Sequence, residues 1–258
     1  MINTYTSFQM ITGDLKRSID RIEAQPMVSR ETEYYLENIG NVKSIEEFVN
    51  DDRLFRYAMK AHGLEDMAYA KAFMVKALEG GVEDRDSFVN KLTDKRYQDF
   101  VETFNFATYG AEVTGFYSAT TEVTHKYLRQ TLEEDAGQQN EGVRLALYFQ
   151  RKAEDIESFY EVLADPALSQ VVRTALGYPE TLAQSDIDKQ VELFKSQIDL
   201  EDFKDPEKVD EFLKRFTAMW EMNNPSNNQQ NSIAALFTKP AEFGISTDVL
   251  VTIAQMKK

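Results

Sequence analysis

The chain contains no cysteine. Disulfides, thiolate zinc sites, iron–sulfur clusters and cysteine nucleophiles are therefore excluded. Its histidines are two, His62 and His125. Glycine and proline are scarce, 11 and 6 among 258 residues, or about 4% and 2% against usual values near 7% and 5%. Sheet proteins turn more often than such a chain allows, whereas long helices with few breaks fit it. No stretch approaches the ~18 apolar residues of a membrane span. The opening MINTYTSFQMITGDLKRSID lacks a basic start followed by an apolar core, so no signal peptide is expected. Acid is abundant: 44 Asp and Glu against 29 Lys and Arg, a net charge of −15. That field repels phosphate, so neither nucleic acid nor an anionic membrane is expected as a partner.

Hydrophobic spacing predicts an all-α protein. Phe8, Ile11, Leu15, Ile19 and Ile22 form one amphipathic stripe over residues 1–30, with Gly13 as its weak point. Residues 31–110 read as a first helical unit. Asp51 or Asp52 is the expected cap of a helix ending at Gly63, Gly80-Gly81 stops another, and Thr93 or Asp94 caps a third that carries Tyr97, Phe100, Val101 and Phe104. Residues 111–140 read as a connecting helix followed by an exposed acidic turn, TLEEDAGQQNEG. Residues 141–222 form a second unit, with a long helix from Leu145 to Leu163 and Asp165 as the cap before Pro166. Residues 223–258 read as a polar linker, NNPSNNQQN, and a helical tail with Val249, Leu250, Ile253 and Met256 on one face.

The two units show a repeat. Ile45 and Phe48 answer Ile156 and Phe159 at an offset of 111. Asp51, Leu54, Ala61 and Gly63 answer Asp165, Leu168, Ala175 and Gly177 at 114. Phe73, Asp84 and Leu92 answer Phe194, Asp205 and Leu213 at 121. Shared punctuation of unrelated helices is the competing explanation.

Chemistry is hard to find. Neither GxGxxG, GxxxxGK[ST] nor HExxH occurs. His62 with Asp66 makes at most half a metal site, and its plainer role is a helix-end histidine. His125 has Glu122 nearby and no activated nucleophile. The acids Asp199, Glu201, Asp202, Asp205 and Glu207 lack the spacing and turn glycine of an EF-hand, and Glu133, Glu134, Asp135 and Glu141 are no more specific. Arg96 is expected to pair inward with a carboxylate or a helix C-terminal carbonyl. No catalytic, cofactor-binding or metal-ligating residue is assigned. The aromatics fall on helix faces and are explained by core packing.

Residues 43–106 carry a D-x-R-L stretch at 51–54, A-x-G-L-E-D at 61–66, K-x-L-E at 76–79 and S-F-x-x-x-L-x-D-x-R-Y at 87–97. In these the chain resembles the bacterial family of unknown function numbered 1217 (DUF1217), over residues 1 to about 222. The resemblance implies an all-helical fold and an association with flagellar gene clusters of rhizobia and their relatives. It carries over no catalytic residue. The expected function is non-catalytic protein binding or scaffolding, linked to flagellar assembly or structure, in the cytoplasm or in association with the flagellum, with a flagellar component as its protein partner and no cofactor. The alternatives are a small-molecule or metal-binding regulatory module and an enzyme with a carboxylate-based site.

Overall fold

In the computed structural model, residues 3–225 are described, and every regular element among them is helical. The linker beyond Pro225 and the tail lie outside the described residues.

The N-terminal stripe folds as two helices rather than one. Asn3 caps α1 (Thr4–Thr12) by accepting from the Thr6 amide at 2.7 Å, and Asp14 caps α2 (Leu15–Glu23) by accepting from Arg17. The break falls at Gly13, where a Cβ would stand 2.9 Å from the Gln9 carbonyl oxygen. The ends of the stripe are buried in the core, and its middle stays half-buried. Phe8 packs among the second half's core side chains and Ile22 among the first half's, with Ile11, Leu15 and Ile19 partly buried between. Residue 30 falls inside α3 (Pro26–Asn38), which begins with Pro26 in its first turn, where a missing amide costs nothing.

A 3₁₀ turn at Ile39–Asn41 leads to α4 (Ile45–Asn50) and α5 (Asp52–Ala61). Next come α6 (Lys71–Gly80), α7 (Lys95–Thr103) and the one-turn α8 (Phe106–Tyr109). Phe48, Phe55, Phe100 and Phe104 meet as a cluster of rings at the centre of this half. The chain then runs through a 3₁₀ stretch, Gly110–Gly115, and a π-helical turn, Ser118–Glu122, into α9 (Val123–Gln139).

The acidic turn expected at 131–142 is instead the last two turns of α9. Leu128, Leu132 and Ala136 continue a buried face at four-residue spacing, and Glu133 is buried with them. That face outweighs the local excess of acid. Asn140 then breaks the helix and caps α10 (Glu141–Lys152).

The long helix expected up to Leu163 is broken as well. Following α10 come a 3₁₀ turn, Ala153–Asp155, then α11 (Phe159–Ala164), α12 (Pro166–Ala175), α13 (Ile187–Lys195) and α14 (Pro206–Asn223). Ser158 starts α11 by accepting from the Glu161 amide, and this cap overrides the continuous apolar pattern.

Local hardware recurs between the halves. Asp51 accepts from the Arg53 and Leu54 amides, and Asp165 from those of Ala167 and Leu168. Tyr34 donates to Asp51 at 2.8 Å and Tyr148 to Asp165 at 2.5 Å. Ser44 and Ser158 cap α4 and α11, while Glu47 and Glu161 reach back to the amides of Lys43 and Glu157. Gly63 and Gly177 end α5 and α12 at φ 68° and 75°, a left-handed conformation that favours glycine. Each of these pairs is 114 positions apart. The other two offsets do not match the elements. Ile45 and Phe159 each open a helix, so Ile156 belongs opposite Val42, the residue after the matching 3₁₀ turn. Leu92 follows a 3₁₀ turn, whereas Leu213 lies within α14. Phe73 sits early in α6 and Phe194 late in α13. Apolar spacing alone slides easily by one turn, and caps do not.

Candidate functional site

A polar cleft of about 440 Å³ opens where the start of α7 faces α10 and α12. One wall is built by Asp94, the cap of α7, which accepts from the Arg96 amide at 3.0 Å. The Arg96 guanidinium bends back onto the same carboxylate, with Nε and Nη2 donating to it at 3.0 and 2.7 Å. Its Nη1 donates to the Gly63 carbonyl at 2.6 Å, tying the end of α5 to the start of α7. Arg96 thus pairs with both a carboxylate and a helix-terminal carbonyl. Burial works against ionised Asp94, but the Arg96 hydrogen bonds and charge outweigh it and lower the pKa. The facing wall holds Tyr148 with Asp165, and Lys152, whose Nζ lies 3.6 Å from Asp99. Burial first, then the Asp165 charge and hydrogen bond, push the Tyr148 hydroxyl far above its ordinary range. Asp94, Asp99 and Asp165 are each engaged with a partner and act as struts between helices, while Asp155, Glu157 and Glu161 also line the cleft. A general base facing substrate needs a less committed lone pair.

The histidines are separate. His62 is buried at the end of α5, with Nδ1 2.9 Å from the Ala58 carbonyl oxygen and Nε2 3.2 Å from Thr103 Oγ1. A carbonyl only accepts, so Nδ1 carries the proton. Burial, aided by the Lys126 charge, lowers the pKa to about 3. Its neighbours are the rings of Phe100 and Phe104, and its hydrogen bonds do not go to Asp66. His125 is exposed on α9.

Among the described residues no three His, Asp or Glu side chains gather so as to hold a metal ion. Asp199 and Asp205 cap helical turns, while Glu201 and Asp202 pair with Lys204 and Lys208. In the other acidic run, Glu134 pairs with Lys60 at 2.6 Å and Glu141 with Arg144. Glu133 is the residue that sequence reading missed. It accepts from Arg129 at 3.0 Å and from Arg151 at 2.8 Å in the interface of α9 and α10. The four-residue spacing of Arg129 and Glu133 was a visible signal; Arg151 was not.

The second concavity is apolar. A groove of about 970 Å³ runs between α2, the exposed side of α3 and the beginning of α9. Leu15, Ile19, Leu36 and Leu128 line it, with Lys16, Asp20, Glu23, His125, Arg129 and Arg151 around them. Leu36 is 48% exposed.

The described chain is thus an all-α protein with an apolar groove and a cleft of paired charges. It belongs to DUF1217, a family of proteins of unknown function whose model matches residues 61–209. It is also similar to protein AGR_C_984 from Agrobacterium tumefaciens, whose X-ray crystal structure is 52% identical in sequence. That likeness covers 86% of this chain and 94% of the other, with a TM-score of 0.80. No curated protein matches the chain. No described helix is long and apolar enough to cross a membrane.

Proposed function

We propose that the protein is a non-catalytic, helical binding or scaffolding protein, linked to bacterial flagellar assembly or structure, that docks a partner protein in the groove between α2, α3 and α9. The observation that carries this reading is the groove itself: apolar side chains of Leu15, Ile19, Leu36 and Leu128 with charged ones around them, the pattern that receives the apolar face of an amphipathic helix. The engagement of Asp94, Asp99 and Asp165 with Arg96, Lys152 and Tyr148 favours it over an enzyme that would use those three carboxylates. The flagellar link rests on the family resemblance alone. The recurring caps at an offset of 114 support descent of the two halves from one duplicated helical unit.

A photo-crosslinker placed at Leu36, with the exposed Tyr69 as a control position, tests the docking face in the native bacterium. One flagellar protein captured from Leu36 and absent from Tyr69 is expected, and Leu36→Glu should abolish its recovery without lowering the melting temperature. Equal capture from both positions would remove the groove as the docking site. A captured partner unrelated to the flagellum would keep the groove and remove the flagellar link.

A further inference from the structure

Residues 103–121 carry one charged side chain, Glu112, where the chain average of 28% would give about five. The same segment exposes three large aromatics: Tyr109 at 50%, Phe116 at 37% and Tyr117 at 64%. Tyr109 and Phe116 meet edge to face, 5.2 Å between ring centres. The backbone beneath them is fixed. Phe106, Val113 and Ala119 are buried, Tyr35 donates to the Ala119 carbonyl at 2.6 Å, and Thr114 donates to that of Val42 at 3.0 Å. Exposed tyrosines on a rigid support, in a segment with a single charge, have the composition of the centre of a protein interface.

We propose that this patch is a self-association face, taking a second copy of the same chain across a two-fold axis. The argument is electrostatic. Two copies, each at −15, repel wherever acidic faces meet, and this segment lets like meet like with little charge juxtaposed. A two-fold contact is self-complementary, so each aromatic group meets its equivalent. A partner of opposite charge would be drawn to the acidic faces instead. The patch is distinct from the proposed docking groove, whose side chains include none of the three aromatics.

Sedimentation equilibrium on the full chain tests the proposal. The wild-type mass should climb from 29.7 kDa toward twice that as concentration rises. Added salt should strengthen association by screening the repulsion, the reverse of what a charge-paired interface does. Tyr117→Asp, at an exposed position, should raise the dimer dissociation constant about tenfold or more, the loss expected of one aromatic anchor. Phe116→Ser should act in the same direction, while Tyr69→Asp and Leu36→Glu leave the mass unchanged. A wild-type chain that stays monomeric to its solubility limit would overturn the proposal. So would Tyr117→Asp and Phe116→Ser variants that dimerise like the parent, or a dimer that salt dissociates.

Discussion

Arg151 holds Glu133 with both arms of its fork, Nε donating to Oε1 and Nη2 to Oε2, each at 2.8 Å. Arg129 adds a third donor to the same carboxylate, and its Nη2 also reaches the Leu147 carbonyl. The Glu133 side chain is 2% exposed. A buried ion group of this kind adds little over a well-packed apolar replacement, but removal of one member leaves uncompensated charge. Glu133→Ala should therefore cost about 3 kcal/mol, the low end for a buried pair because Arg151 keeps partial access to water. The triple change Arg129→Met, Glu133→Leu and Arg151→Met should cost far less. Denaturant unfolding of the two variants checks the contrast.

His62 makes stability depend on pH. Its folded pKa lies at about 3, below the ~6.5 of an unfolded histidine. Between those values the unfolded chain binds the extra proton, so stability falls as pH falls from about 6.5 toward 3 and is fully present above that window. By pH 5 the loss from this residue should be on the order of 2 kcal/mol. Denaturation curves at pH 7 and pH 5 should show it in the parent and not in His62→Asn, whatever the variant's overall stability.

The two capping aspartates invite a paired measurement. Each accepts from two helix-start amides and one tyrosine hydroxyl. Asp51→Ala and Asp165→Ala should each cost about 1–2 kcal/mol. Tyr34→Phe and Tyr148→Phe should each cost about 1 kcal/mol. Thermal and denaturant unfolding of the four variants checks the equivalence, and a null effect at either aspartate would show that its cap carries no weight.

Gly142 reports on the packing of α14 against α10. A Cβ there would overlap the Trp220 indole. Gly142→Ala should displace the ring and cost about 1–3 kcal/mol through overpacking. Trp220 is the sole tryptophan, so a red shift in its emission, read beside the unfolding curve, checks the displacement directly.

Helical class was legible because few turn residues and recurrent three- and four-residue apolar spacing leave little else for the chain to form. The cap Asp165 was legible outright, and Asp51 and Asp94 each as one of two adjacent candidates, for a local reason: a carboxylate bonds amides two or three positions ahead, within reach of sequence inspection. The break before Phe159 and the helical acidic run were misread. In both cases the deciding groups were one buried face or one cap competing against a longer average pattern.

The sequence by itself determined the helical class and supplied the family resemblance, because both depend on neighbours within a turn or two. Tertiary structure decided what those segments are used for. Ile22 and Phe8 belong to one short stripe yet enter different cores. Arg151 finds Glu133 across eighteen positions, and Arg96 finds the Gly63 carbonyl across thirty-three. The groove exists because α2, α3 and α9 fail to close over Leu36. Desolvation, ion pairing and concavity depend on which surfaces meet in space, and local periodicity does not encode that meeting.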